Sequence, residues 1–281
     1  RQVMIKKHLI LLVLIFSSPS PPSWADHWIN PKVVIGNPMI ARLQQGRKAL
    51  TTMEKEEIKK YGYTGLEVMT YLDANLDPGK SHDHFIRMMQ IGAGGLIHIR
   101  MWLWKTKYYY KDYKSLLTYD GIKPGDIKYK FLVIYLAPPK MWGYGVLSYS
   151  YLLSMDYKNP EDVWSWAPDL RKVRRFPTAK GDNDFAGTEL TTDEFLRWRE
   201  PWQEDHRVLG YDVIEGKECI VIESIHRNPQ YYLGKRVSWV EKENFIDLHE
   251  EQFDREGNLW KVSDKLWKQI KPWNYWVRTE W

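Results

Sequence analysis

From residue 84 onward the chain is built from short apolar runs in which side-chain character alternates at every second residue. A period of two is the signature of a β-strand, because successive side chains of a strand point to opposite faces. The run Gly-Ala-Gly-Gly at 92–95 is typical of a hairpin connection, and no lysine or helix follows it as in a phosphate-binding loop. The predicted strands are 84–91, 96–105, 128–136, 145–153, 162–167, 219–225, 235–240, 249–253 and 259–267.

Three short segments begin with the capping box of an α-helix, in which a threonine is followed three residues later by a glutamate. After the second of them, Met69 and Leu72 recur at helical spacing until Pro78 ends the segment. We therefore predict an α+β fold that is mainly antiparallel β, with a lead-in at 26–62 and one domain at 63–281. The capping pairs are Thr51 and Glu54, Thr64 and Glu67, and Thr191 and Glu194.

The first 25 residues have the three regions of a secretory signal peptide. Lys6 and Lys7 form a basic region, 9–16 is apolar throughout, and Ser23 and Ala25 suit the narrow pockets of signal peptidase. The apolar run is far shorter than the roughly 20 residues that a membrane-spanning helix needs. We predict export to the bacterial periplasm with cleavage after Ala25, and no lipoprotein anchor because no cysteine follows that site.

Composition narrows the functional classes. The signal segment holds three basic residues and no acid, so its removal lowers the net charge from +5 to about +2, which gives no support to nucleic-acid binding. The chain has 15 Trp and 18 Tyr, residues that fill cores and also line sites for lipids and sugars. The single cysteine, Cys219, lies in an apolar run and is predicted to be a buried strand residue.

Six segments between about residues 58 and 261 resemble, in the same order, segments of the outer membrane lipoprotein-sorting protein family, the LolA-like periplasmic carriers. The most specific segment is 162–175, which reads DVWSWAPDLRKVRR. The strand and proline turn FLVIYLAPP at 131–139 and the segment FDREGNLWKV at 253–262 are also similar to the family. The other three segments are 64–69, 187–195 and 239–244.

The resemblance implies a curved antiparallel sheet, an unclosed half-barrel of the LolA or LolB type, with a few helices covering its concave face. In such proteins the cavity between sheet and helices holds acyl chains, and no cofactor is used. Members commonly work beside inner-membrane exporters of the resistance-nodulation-division type. Longer relatives continue past the strand-like segment 276–281, so the sequence is expected to lack C-terminal strands of the domain.

Large apolar side chains that share one strand face are the candidates for ligand contact. Trp164 and Trp166 are two residues apart, as are Trp102 and Trp104, so each pair leaves its strand on one side. Packing of these rings in a core under a helix explains the pattern equally well. The predicted ligand contacts are Met69, Leu72, Trp102, Trp104, Leu132, Ile134, Leu136, Trp164, Trp166 and Trp239.

The densest basic cluster contains Arg171, Arg174 and Arg175. A guanidinium group matches the geometry of phosphate oxygens, so these residues are candidates for binding a lipid headgroup or docking an acidic partner. The competing interpretation is a solvated loop that pairs with nearby acids such as Asp182.

Catalytic and metal-binding patterns are weak. His82 and His84 are close in sequence, but a metal site needs three or four converging donors. The sequence has no Gly-x-Ser-x-Gly elbow, and the adjacent Glu250 and Glu251 point to opposite faces of a strand. We therefore predict no metal, no cofactor and no enzymatic activity.

Together these features favour a periplasmic carrier that holds the acyl chain of a lipid or lipoprotein in an apolar cavity. One alternative is an envelope protein that binds or hydrolyses glycans with its aromatic face. Another is a structural envelope subunit whose cavity is filled by its own side chains.

The signal-peptide interpretation predicts that the mature protein begins at Asp26. Intact mass and N-terminal sequencing of protein recovered from the periplasm will test this. A mature protein that retains residues 9–16 would contradict the prediction.

Overall fold

A computed structural model describes residues 11–17, 52–76, 81–92, 94–110, 125–151, 161–176, 182–185, 187–196, 200–270 and 275–280. Antiparallel strands dominate these ranges, which confirms the predicted fold class. Three α-helices accompany the strands there, and none of them is both long enough and apolar enough to cross a membrane. They are α1 (Thr52–Tyr61), α2 (Gly65–Leu76) and α3 (Thr192–Leu196).

Reciprocal hydrogen bonds start two of these helices as the capping boxes predict. The Thr64 backbone N–H donates to Glu67 Oε2 at 2.7 Å, and the Glu67 N–H donates to Thr64 Oγ1 at 3.1 Å. The same exchange joins Thr191 and Glu194 at 2.7 and 3.2 Å. The predicted cap at Thr51 lies outside the described residues.

A seven-stranded sheet forms the first half of the fold, and each strand pairs with the strand that follows it in the chain. Helices α1 and α2 lie between the first strand and the second, and the later strands follow one another as a meander. Its strands are β1 (Leu11–Ser17), β2 (His82–Ile91), β3 (Ile97–Tyr108), β4 (Ile127–Ala137), β5 (Gly145–Tyr151), β6 (Asp162–Ala167) and β7 (Lys172–Phe176).

A five-stranded meander and a hairpin form the second half. The two-residue turn Glu215-Gly216 joins the first two strands, with φ of 49° and 79°, which is the positive-φ geometry that fits the twist of a hairpin. The meander contains β8 (Glu204–Ile214), β9 (Lys217–His226), β10 (Lys235–Glu241), β11 (Asp247–Phe253) and β12 (Leu259–Asp264), and the hairpin contains β13 (Leu266–Ile270) and β14 (Tyr275–Glu280).

The structure departs from the predicted strands in three places. Strands β1, β7 and β8 were not predicted: β1 lies in the proposed signal segment, and charged residues interrupt the apolar pattern of β7 and β8. The predicted strand 259–267 is two strands, β12 and β13, because Lys265 turns inward and donates its backbone N–H to the Leu248 carbonyl at 2.9 Å. The described strands also form separate sheets and not one continuous sheet.

Helix α2 and the five-stranded sheet enclose the first of two hydrophobic cores, which we term the helix-covered core. Val68 on the helix and Ile222 and Val240 on the sheet are each fully buried. Helix α1 is fixed above them by Glu57, whose carboxylate accepts the backbone N–H groups of Gly65 at 3.1 Å and Val208 at 2.8 Å. One carboxylate therefore joins α1, α2 and β8.

The second core, which we term the sheet core, lies on one face of the seven-stranded sheet. Trp102 and Val133 are fully buried in it, and Phe185 and Leu190 from the segment before α3 pack onto the same cluster. Tyr108 packs against both cores, so the two are continuous.

A network of buried charges occupies the inner face of the five-stranded sheet, beside the helix-covered core. Arg236 pairs with Glu204 and, at 3.3 Å, with Glu250. Lys265 pairs with Asp247 and, at 3.3 Å, with Glu250. The five side chains are at most 11% exposed. Removing one partner would leave another charge buried and uncompensated, at a cost of about 3–5 kcal/mol.

His206 lies next to this network and is held in its neutral form. Its Nε2 is 2.7 Å from the Pro201 carbonyl, which can only accept, so Nε2 carries the proton and Nδ1 accepts from Ser224 Oγ at 2.8 Å. Burial lowers the pKa of His206 to about 4; the charge of Glu204 opposes this shift and that of Arg236 adds to it.

This geometry predicts a loss of stability on acidification. Unfolded His206 binds a proton below its ordinary pKa of 6.5, whereas the folded state resists until about pH 4. The contribution of His206 to the free energy of unfolding is therefore fully present above pH 6.5. It falls between pH 6.5 and 4, by on the order of 3 kcal/mol. Urea unfolding across this range should show that decline in the parent, and a smaller one in His206→Gln, whose amide can replace both hydrogen bonds. Parallel curves for the two proteins would contradict the assignment.

Candidate functional site

Strand β4 separates two surfaces of different character. Phe131 and Val133 face the sheet core and are at most 1% exposed. Leu132 and Ile134 alternate with them and stay half-buried on the opposite side of the sheet. We term that opposite side the open face, because several of its large apolar side chains remain accessible, including Trp166 at 38% exposure.

The strand register shows which side chains meet on the open face, because directly opposed residues of antiparallel strands share a face. A row of apolar side chains, with one glycine, crosses six strands, and a shorter row of three lies beside it. At about 4.8 Å per strand, the first row is about 24 Å long. We term both rows the apolar belt: Phe85, Leu103, Ile134, Gly145, Trp166 and Val173 in the first, and Leu132, Leu147 and Trp164 in the second.

Gly145 lies in the middle of the belt, between Ile134 and Trp166. A Cβ atom built at this position would lie 3.6 Å from Trp166 Cβ and 4.0 Å from Leu132 Cδ1, which are ordinary contacts. The backbone therefore does not require glycine at this point. Gly145 is itself buried, so neighbouring groups already cover its backbone.

Ion pairs border the second row of the belt at both ends. Lys105 Nζ is 2.6 Å from Asp83 Oδ2 at one end, and Arg175 pairs with Asp162 at the other. The Tyr151 hydroxyl donates to Asp162 at 2.6 Å, and this hydrogen bond together with Arg175 lowers the pKa of Asp162. The same bond raises the pKa of Tyr151 to about 12.

The next row contains Lys107, Lys130, Tyr149 and Asp162, and the charge of Asp162 is paired with that of Arg175. Lys130 lies opposite Tyr149 in the register, and its Nζ is 3.9 Å from the Tyr149 ring centroid. The Tyr149 ring in turn makes an edge contact with Trp164 at 4.7 Å. The open face therefore changes from apolar at the belt to positively charged within two rows.

Five of the ten predicted ligand contacts share the open face: Leu132, Ile134, Leu136, Trp164 and Trp166. Each tryptophan pair does leave one face of its strand, as predicted, but the two pairs leave opposite faces of the sheet. Trp102 is fully buried in the sheet core, and the Trp104 ring lies 4.9 Å from that of Phe131 on the same side.

The other three predicted contacts lie on the five-stranded sheet or on helix α2, which packs against it. Met69 and Leu72 belong to the helix-covered core, so helix α2 packs on the five-stranded sheet and not on the sheet that contains Leu132 and Leu136. Trp239 faces away from that core and donates its indole N–H to Asp212 Oδ2 at 2.9 Å. The sequence could not assign these partners, because an apolar helix face does not specify which sheet it covers.

The basic cluster does not form the solvated loop that was considered. Arg171 lies in a tight turn with φ of 48°, and the two other arginines lie on the exposed strand β7. Arg174 is opposite Ser165 and Arg175 is opposite Trp164, so they leave opposite faces. Of the three, Arg175 is the one that borders the apolar belt.

The belt contains five residues that sequence reasoning did not identify as site residues. Each belongs to the site only through its register with a neighbouring strand, and register is not visible in one sequence. These residues are Phe85, Leu103, Gly145, Leu147 and Val173.

The histidine, cysteine and acidic side chains of the described residues do not form a metal site. No three His, Cys, Asp or Glu side chains of those residues are arranged to hold a metal ion. The rings of His82 and His84 stack at 4.3 Å, and burial, with the charge of His82, lowers the pKa of His84 to about 3. Cys219 is buried as predicted, and burial raises its thiol pKa.

Comparison with known proteins shows that this architecture recurs in solved structures. A family model described as "uncharacterized protein" matches residues 128–281, more than half of the chain. No curated protein matches the chain. Three solved structures share the fold, which confirms the resemblance predicted from the sequence at the level of fold.

The first is an outer membrane lipoprotein-sorting protein domain from Vibrio parahaemolyticus, with 22% identity and a TM-score of 0.62 over 76% of this chain and 82% of that one. The second is a DUF1329 family protein from Desulfovibrio piger, with 20% identity and a TM-score of 0.62 over 81% and 84%. The third is a LolA superfamily protein from Nitrosomonas europaea, with 14% identity and a TM-score of 0.53 over 75% and 82%.

The two faces of β4 predict different responses to truncation of neighbouring residues. Phe131→Ala should lower the free energy of unfolding by about 3–5 kcal/mol, because it empties a core position. Leu132→Ala should cost only about 1 kcal/mol, because the side chain is half in water already. Urea denaturation of both variants measures the difference, and equal losses would show that the open face is as fully packed as the core.

Proposed function

We propose that this chain, which belongs to the family of uncharacterized proteins whose model matches residues 128–281, is a carrier for the acyl chain of a lipid or lipoprotein in the bacterial envelope. The observation that carries this proposal is the apolar belt, an accessible apolar surface about 24 Å long on one face of the seven-stranded sheet. The shared fold with an outer membrane lipoprotein-sorting domain supports the same class of ligand.

The dimensions of the belt suit one acyl chain. The hydrocarbon core of a bilayer is about 30 Å thick and holds two chains end to end, so one chain spans about 15 Å there. The belt is long enough for such a chain, even when the chain is more extended than in a bilayer. Ten methylene groups removed from water contribute about 8 kcal/mol, the free energy of micromolar binding. An open face removes only part of that surface from water, which gives an affinity that allows release.

The belt composition favours an acyl chain over a glycan. Sugar rings stack on flat aromatic faces, whereas the centre of the belt is formed by Leu103, Leu132, Ile134 and Leu147. Aliphatic side chains have no ring for a sugar to stack on, but they exclude water from a hydrocarbon chain equally well on every side.

The site of action follows from the proposed signal segment. Cleavage after Ala25 would remove β1, the edge strand that pairs with β2, and would release the carrier into the periplasm. There it could exchange acyl chains between the two membranes. A resistance-nodulation-division exporter in the inner membrane is the partner that the family resemblance implies.

A charge at the centre of the belt should abolish lipid binding without unfolding the protein. Ile134→Lys places an ammonium group in the first row, where the half-exposed position lets the amine reach water. Lipid extraction and mass spectrometry of the purified chain should show bound lipid in the parent, and at least tenfold less in Ile134→Lys.

Two matched variants serve as controls. Leu209→Lys changes another accessible apolar residue, 42% exposed on β8, and should keep the parental amount of lipid. Val133→Lys is next to Ile134 in sequence but fully buried, and should prevent folding. Absence of lipid from the parent, or retention of lipid by Ile134→Lys, would reject the carrier function at this face.

A further inference from the structure

Two lysines face each other on the open face, at the row beyond the ion pairs. Lys107 on β3 and Lys130 on β4 are directly opposite in the strand register. Opposed residues of antiparallel strands have Cβ atoms about 5 Å apart, and like charges at such positions destabilise a sheet. The fold therefore tolerates an electrostatic repulsion at this point.

Aromatic rings hold both ammonium groups beside one another. The Tyr109 ring centroid is 5.4 Å from Lys107 Nζ and 5.2 Å from Lys130 Nζ, and the Tyr149 ring is on the other side of Lys130 at 3.9 Å. Cation–π attraction favours these positions and keeps the two charges near one point.

Neighbouring cations on the same face are neutralised, and these two are not. Lys105, two residues from Lys107, pairs with Asp83, and Arg175 pairs with Asp162. Among the residues that the structure describes, no carboxylate lies within ion-pair distance of Lys107 or Lys130. Two converging cations without an acid have the charge complementary to an anion.

We propose that Lys107 and Lys130 form an anion site that binds the phosphate or carboxylate headgroup of the carried molecule. This proposal rests on the proposed function, because Leu132, in the second row of the apolar belt, lies two residues from Lys130 on the same face of β4. The ligand class is therefore an anionic amphiphile, with its headgroup between the lysines and its chain on the belt. An anion there would also cancel the repulsion between the two lysines.

Calorimetric titration of the full chain with dodecyl phosphate and with a neutral dodecyl glycoside, both below their micelle concentrations, tests the assignment. The double variant Lys107→Gln/Lys130→Gln should bind dodecyl phosphate at least about tenfold more weakly and the glycoside equally well. Rising salt should weaken phosphate binding in the parent alone. The double variant removes a repulsion, so its thermal stability should equal or exceed that of the parent.

Lys105→Gln is the matched control, because it removes a cation from the same strand and face that already has an acid partner. It should leave both affinities unchanged. Unchanged binding of dodecyl phosphate by the double variant would overturn the anion site and leave the carrier function intact. Inorganic phosphate that binds as tightly as dodecyl phosphate would overturn the headgroup assignment in favour of a free anion. Failure of both amphiphiles to bind the parent would reject the carrier function itself.

Discussion

The seven-stranded sheet is organised by strand β4, which has large apolar side chains on both of its faces. The chain covers one of these faces itself, with Phe185 and Leu190 packed over Phe131 and Val133. The side chains of the other face stay half-buried. Apolar surface left accessible in this way retains a hydrophobic driving force that a second molecule can satisfy.

The five-stranded sheet differs from the seven-stranded sheet, because its inner face combines apolar and charged residues. At one end, helix α2 covers Ile222 and Val240 with hydrocarbon. At the other end, the buried ion network centred on Arg236 and Glu250 replaces apolar packing. Lys261 extends this pattern to α3 through Glu194 at 2.8 Å. Directional contacts of this type specify one arrangement of the surrounding segments, whereas apolar packing accepts several.

Alternation in the sequence was enough to predict that β2, β4 and β6 exist, and threonine–glutamate pairs predicted where α2 and α3 begin. Alternation could not reveal the inner face of β4, because both of its faces are apolar. Strand β8 was missed because its buried positions include Glu204 and His206, whose side chains pair with Arg236 and Ser224 on neighbouring strands. The opposition of Lys107 and Lys130 depends on strand register, which only the folded chain defines.

The hydrogen bonds of Glu57 also bear on the order in which parts of the chain can fold. Its carboxylate accepts the N–H of Val208, a residue 151 positions later, and Asn75 of α2 donates to the Asn244 carbonyl 169 positions later at 2.5 Å. Contacts this distant close large loops and form late. During synthesis the N-terminal helices therefore have nothing to pack against until the ribosome has made most of the chain. The apolar face of α2 therefore stays uncovered while the strands that it packs against are still being synthesised.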